Sequence, residues 1–507
     1  MSQEISAEFL SLPREECASA ALQRAGELGA EYADLRVAMT RSASLRLRDA
    51  IVEGTTDDAS TGMSVRVLWQ GCWGFAASDV VSVSEALALA EKAVALARIS
   101  SPLVTIRVEL APEPVHHGTW TSALEIDPFD VPAAERVALM ADRSALLLAA
   151  PGVSHADAGL QFVRESTFFA SAAGTRTIQQ RTRIEAEWSA THVSDSGFES
   201  MSTTAPPVAR GWEYVLGRGE TVRGARPWDW NDELAHLPLH LAEKVAAPSV
   251  VPGPTTLVID PTNLWLTIHE SVGHATELDR ALGYEANYAG TSFATPEKLG
   301  TFQYGSPLMH IVGDRTADFG LATTGWDDEG VEAQTWDLVR DGILVGYQLD
   351  RSMAGEMRFP RSNGCAYADS AEHVAIQRMP NVSLMPGATQ ASIEDLIAGV
   401  DDGLYIVGDR SWSIDMQRYN FQFTGQRFHR IKSGRLAGQV KDVAYQSRTP
   451  DFWGSMVALG GPETYLLGGA LNCGKGQPGQ VAPVSHGCPA AVFEGVNVLN
   501  SAAEAGS

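Results

Sequence analysis

Cysteine is scarce in this 507-residue chain: Cys17, Cys72, Cys365, Cys473 and Cys488 are the only five. An odd, sparse set excludes a disulfide framework and points to a reducing compartment. Cys17, Cys72 and Cys365 read as small buried hydrophobes. Long apolar runs are also missing. None reaches the ~18 residues of a membrane span, and the opening Met1-Ser2-Gln3-Glu4-Ile5 lacks the basic and apolar regions of a signal peptide. The expectation is a cytoplasmic protein without a membrane partner. Basic residues are few beside acidic ones, 38 against 62, giving a formal net charge of -24. Such a surface repels phosphate backbones, which argues against nucleic acid as a partner. Tandem repeats, low-complexity tracts, a dinucleotide fingerprint and a Gly-Lys-Ser/Thr phosphate loop are absent as well.

What is present is a chain with 44% hydrophobic residues, long enough for two or more domains. Helical periodicity runs over residues 14–28, 83–98, 133–150 and 231–245, and alternation predicts strands over 34–38, 44–48, 63–69, 73–76 and 178–193. A proline-rich stretch, 247–254, reads as a linker. Beyond it, strands over 335–339 and 343–349 flank Asp341-Gly342, and strands over 428–432 and 436–440 flank Ser433-Gly434, two hairpin signals. The fold class expected is α+β, with an N-terminal mixed helix/sheet domain (1–246), the linker (247–254) and a β-rich C-terminal domain (255–507). Gly313-Asp314 and Gly325-Trp326-Asp327-Asp328-Glu329-Gly330 lack calcium-loop spacing and read as exposed turns. His116-His117 reads as solvent-exposed, and His236 and His240, with Pro238 between them, as surface histidines. Phe421 and Phe423 fit either a core or a groove.

The richest stretch is His269-Glu270-Ser271-Val272-Gly273-His274. Two imidazoles offer metal ligands and the adjacent carboxylate offers a base, while a catalytic zinc needs three protein ligands and one open position. In H-E-x-x-H the histidines are four apart and share a helix face. Here they are five apart, which on a regular helix turns them about 140° from each other. Either the helix is distorted or the motif is accidental. A π-bulge would bring the two back toward alignment, and Gly273 would ease it. Asp260 as N-cap, Pro261 at the first helical position and the spacing of Leu264, Ile268 and Val272 predict a helix that ends by Gly283. For a third ligand, Cys473 and the His486-Gly487-Cys488 segment are both open from spacing alone.

The segment resembles the H-E-x-x-x-H signature of the TldD/PmbA family of metallopeptidases, in its metal-bearing TldD-type subunit. Glu31-Tyr32-Ala33-Asp34, Gly62-Met63-Ser64-Val65-Arg66 and Gly74-Phe75-Ala76 look like that family's opening strands. Asn472-Cys473-Gly474-Lys475-Gly476-Gln477 is similar to its cysteine-glycine-lysine segment. The continuation of Arg361-Ser362-Asn363-Gly364 as Cys365-Ala366-Tyr367-Ala368-Asp369 departs from the family's glycine- and arginine-rich stretch.

The resemblance implies His269, His274 and Cys473 as zinc ligands and Glu270 as general base, in a cytoplasmic peptidase acting on unfolded or extended peptides. It also implies a second family subunit, as a heterodimer or homodimer. Alternatives are a non-catalytic peptide-binding or regulatory subunit, a maturation protease for one modified peptide precursor, and a hydrolase of other amides at the same site.

Overall fold

The computed structural model describes residues 3–195, 197–476 and 479–505. Met1, Ser2 and Gln477, which belong to segments quoted above, lie outside the described residues. Helices and extensive sheet combine with a β-rich C-terminal region, an α+β fold.

The first sheet has seven strands in the order Cys72–Ser78, Ile51–Trp69, Tyr32–Arg48, His155–Ser171, Arg176–Ser194 and His117–Thr121, with Gly197–Ser202 also pairing Arg176–Ser194. The segments expected as two strands, 34–38 and 44–48, form the single strand Tyr32–Arg48, because neighbours on both sides keep the polar middle paired: Thr40 lies opposite Ser60 and Glu165. Helices Arg14–Glu27 and Val83–Ser100 cover one part of this sheet, burying Cys17, Ala21, Leu89 and Val94 against Leu35, Val37 and Val65. Ala133–Leu148 and Trp230–Ala246 cover another around Trp188 and Trp230. Trp230–Ala246 continues through Pro238. His236 is exposed on it, but His240 is half-buried beside Arg427 and His429, so the surface reading fails for His240.

The second large sheet follows the order Asp402–Ile414, Gly253–Ile259, Ala491–Asn500, Val443–Arg448, Asn420–Lys432 and Arg435–Val440. Asp402–Ile414 pairs with Asn420–Lys432 as well, so five strands close into a ring. Both hairpin turns read from the sequence are present. Asp341 and Gly342 have φ of 52° and 78°, and Ser433 and Gly434 have 50° and 73°, positive at both central positions as a tight hairpin requires. Phe421 and Phe423 are core residues, packed with Tyr445 and Phe452.

The acidic segment 325–330 is not an exposed turn. Asp327, Asp328 and Glu329 are buried. Arg36 of the first sheet pairs with Asp328 at 3.1 Å and Arg66 with Glu329 at 2.9 Å, while Asp327 accepts the backbone N–H groups of Glu329, Val331 and Ala366. The local composition is turn-like, but arginines nearly three hundred residues upstream supply the counter-charge. Gly313-Asp314 is likewise no exposed turn: it ends the strand Ile311–Asp314, which pairs on both sides. His117 is exposed as expected, whereas His116 is only partly so and meets Glu113 at 2.9 Å. Among the described residues, no helix is long and apolar enough to cross a membrane.

Candidate metal centre

Helix Pro261–Ile268 leaves the ring directly from strand Gly253–Ile259. The Asp260 side chain accepts the Thr262 N–H at 2.9 Å, and Pro261 occupies the first turn, where its missing N–H costs nothing. All eight residues of the helix are buried. The backbone then widens into a π turn over His269–Gly273, followed by a 3₁₀ turn over His274–Thr276. The His274 N–H donates to the His269 carbonyl, five residues back, which is the spacing of the two histidines. Their rings meet with centroids 4.6 Å apart. Side chains take up the carbonyls of the widened turn: Tyr304 hydroxyl bonds Ser271 O, Thr276 hydroxyl bonds Val272 O at 2.8 Å, and Gln348 amide bonds Gly273 O. Gly273 itself has φ of -52°, ordinary helical backbone, so its conformational freedom is not used. It is needed for room, since a Cβ there would stand 2.6 Å from the Met379 sulfur.

Cys473 arrives from the far end of the chain on strand Leu466–Lys475, which pairs with Gln480–Cys488. The register slips by one residue between Ala470 and Cys473. Such a bulge reverses which face each later side chain meets, and it leaves Cys473 and Lys475 buried with Gly474 exposed between them. The Cys473 sulfur lies 3.6 Å from His274 Nε2, and one donor atom each from His269, His274 and Cys473 lie within 4.8 Å of one another. Cys488 is elsewhere, its sulfur against the Pro261 carbonyl.

A second layer fixes the tautomers. His486 Nδ1 donates to the Val382 carbonyl at 2.9 Å, so its Nε2 carries a lone pair, and His269 Nδ1–H donates to it at 2.7 Å. His269 Nε2 is thereby left as an acceptor. In the same way His274 Nδ1 donates to Glu277 at 2.9 Å, leaving Nε2 toward Cys473. Glu277 is shared with Arg280 at 3.1 Å and Lys475 at 3.3 Å, and Lys475 also meets Asp279 and the Gln377 carbonyl. The Arg378 guanidinium donates to the Cys473 carbonyl. Glu270 Oε2 accepts from Arg418 at 2.6 Å.

Electrostatics follow this geometry. Burial pushes both His269 and His274 below the usual imidazole value, which keeps them neutral. Burial alone would raise Cys473, but His274 and Arg378 outweigh it and hold the thiol below its ordinary value. Glu277 is buried too, yet Lys475, His274 and Arg280 hold it well below the usual carboxylate range. The arrangement presents two neutral imidazole nitrogens and a thiol biased toward thiolate, with a carboxylate beside them: a donor set for a soft divalent ion.

Of the residues singled out in the sequence, His269, His274 and Cys473 are brought together, Glu270 adjoins them, and His486 stands one layer behind. Glu277 carried a readable signal, since it lies three residues after His274 within helical reach. Arg418 carried none.

Comparison with known proteins follows the same lines. Residues 33–97 match the model of PmbA/TldA metallopeptidase domain 1, and residues 252–500 that of the PmbA/TldA metallopeptidase C-terminal domain. A metalloprotease of Methanocaldococcus jannaschii is 25% identical over 474 residues, covering 90% of this chain and 94% of that protein. A zinc metalloprotease TldD homolog of Saccharolobus solfataricus is 24% identical over 223 residues, 44% and 47% of the two chains. The structure of TldE from Thermococcus kodakarensis superposes with a TM-score of 0.70 at 14% identity, over 95% of this chain and 99% of that one, a likeness of fold.

Proposed function

Because the chain belongs to the PmbA/TldA metallopeptidase family, we propose that it is a zinc-dependent peptidase of unfolded or extended peptides, with His269, His274 and Cys473 as ligands and Glu270 as general base. The observation that carries this reading is the convergence of three donor atoms, each imidazole already oriented through its other nitrogen. A tetrahedral zinc ion sets nitrogen and sulfur donors roughly 3.3–3.6 Å apart. The Cys473–His274 separation of 3.6 Å meets that value, and all three donor atoms lie within 4.8 Å of one another. The thiolate favours zinc over iron or manganese, and the zinc metalloprotease TldD homolog of S. solfataricus supports the same choice. When bound, zinc supplies Lewis-acid polarisation of a peptide carbonyl and lowers the pKa of water toward ~7.

The chain's own residues do the rest. Glu270 takes one proton from the attacking water as the new C–O bond forms, then delivers it to the amine nitrogen as the C–N bond breaks. His486 and Glu277 hold the two imidazoles in one tautomer throughout. Strand addition is the binding mode we propose for an extended peptide, and a second subunit of this fold, identical or related, is the partner we propose.

The test is a set of three variants. Glu270→Ala keeps its metal and loses turnover of unfolded casein, whereas His269→Ala and Cys473→Ala lose the metal. An active Glu270→Ala enzyme would remove the base assignment.

A further inference from the structure

The hairpin between strands Asp402–Ile414 and Asn420–Lys432 sends one side chain into the site. Its turn is held by a set of hydrogen bonds. Asp415 accepts the backbone N–H groups of Gln417, Tyr419 and Asn420 at 3.1, 2.8 and 3.0 Å, and its own carbonyl takes the Arg418 N–H at 3.0 Å. The Thr449 hydroxyl caps the Arg418 carbonyl at 2.7 Å, and the Tyr419 ring packs on Phe293. These contacts hold Arg418 at φ of 64°, a left-handed conformation that a long side chain resists. The guanidinium then enters the site almost fully buried, with 13% of the side chain exposed. Nη1 donates to Glu270 Oε2 at 2.6 Å and Nη2 reaches the Ala289 carbonyl at 3.4 Å. Nε is buried and has no acceptor among the described residues.

What sets Arg418 apart is place: its leftover Nε–H lies beside the Glu270 carboxylate, where a substrate oxygen would satisfy it.

We propose that Arg418 is a further residue of the reaction: through Nη1 it fixes the Glu270 carboxylate by Oε2, leaving Oε1 to carry the proton, and through Nε–H it donates a hydrogen bond to the oxygen of the scissile carbonyl. This rests on the reading of Glu270 as base. A donor fixed in advance at the oxygen where negative charge grows is stronger in the transition state than in the bound peptide, so its loss falls on kcat more than on KM.

The experiment compares Arg418→Ala, Arg418→Gln and Arg418→Lys with wild type and Glu270→Ala. Bound metal is measured by elemental analysis, folding by circular dichroism, and kcat and KM on an unfolded casein peptide. The expected result is a folded, metal-bearing Arg418→Ala enzyme with kcat reduced about 100-fold and KM changed little. Arg418→Gln behaves alike, Arg418→Lys retains only part of the rate, and millimolar guanidinium restores activity to the alanine variant but not to wild type. A kcat within threefold of wild type in the metal-bearing alanine and glutamine variants overturns the inference. So does loss of the metal together with the rate, which would make Arg418 structural. Glu270→Ala separates the two levels: if it is active, the base reading itself fails, and if it is inactive while Arg418→Ala is fully active, only the role of Arg418 fails.

Discussion

At the scale of single residues, the donor types were legible and their supports were not. Histidine and cysteine announce possible metal ligands by their atoms, so the cluster of His269, His274 and Cys473 that the fold assembles, with Glu270 next to it in the chain, was a candidate in the sequence with the help of a family resemblance. His486 could only be an ambiguous second candidate, because nothing in a sequence says whether an imidazole faces the ion or the residue that holds it. The structure puts it behind His269, with a hydrogen bond of 2.7 Å. Replacing it should therefore loosen the site without emptying it. We expect His486→Leu to weaken zinc affinity about 10- to 100-fold, as measured by chelator competition. An affinity within twofold of wild type would mean that His269 needs no such partner. Arg418 shows the opposite limit. It lies 148 residues from Glu270 and no local pattern marks it, because its role depends on where a hairpin ends in space.

Among elements, turns with strong stereochemical demands were readable and distortions less so. Asp341-Gly342 and Ser433-Gly434 declare tight hairpins because glycine tolerates positive φ. The turn at Asp49-Ala50, also positive at both positions, contains no glycine and gave no such signal. The five-residue spacing of the histidines stated a problem that a π turn solves, and Asp260 and Pro261 marked where its helix begins. Gly273 serves packing against Met379 and not the distortion of the helix, since its backbone is ordinary. Gly273→Ala should accordingly cost about 1–3 kcal/mol through overpacking. Adding Met379→Val should make the double variant lose less than the sum of the single losses in chemical denaturation. Strict additivity would show that the crowding is elsewhere.

On the scale of the whole molecule, charge was legible only as a sum. The net value of -24 does not reveal that Asp327, Asp328 and Glu329 are buried against arginines of the first sheet, or that Gln179 of that sheet accepts the Gly325 and Trp326 N–H groups. We propose the boundary at 247–254 as a division of the chain, yet these buried contacts join its halves, so thermal unfolding should give one transition. Two resolved transitions would show that the halves fold separately. The same network sets a pH dependence. Burial, reinforced by Glu329, pushes Asp327 up to about 7 and Asp350 to about 8. Raised carboxyls bind protons in the folded state that the unfolded chain, with values near ~3.9, has released. Their contribution is full below that value and is lost as pH rises through 7 to 8. The melting temperature should fall between pH 6 and pH 9, and less so in Asp350→Asn; an equal fall in that variant would place the titrating group elsewhere. The central claim also belongs to this scale, because the site exists only if the fold returns Cys473 to a helix some two hundred residues earlier. Its most direct test is the zinc content of purified wild-type protein and of Cys473→Ala, with hydrolysis of unfolded casein recorded on the same samples. The account predicts near-stoichiometric zinc and activity in the first and loss of both in the second. Zinc retained in full by Cys473→Ala, or a wild-type protein that binds none when zinc is supplied, would contradict it.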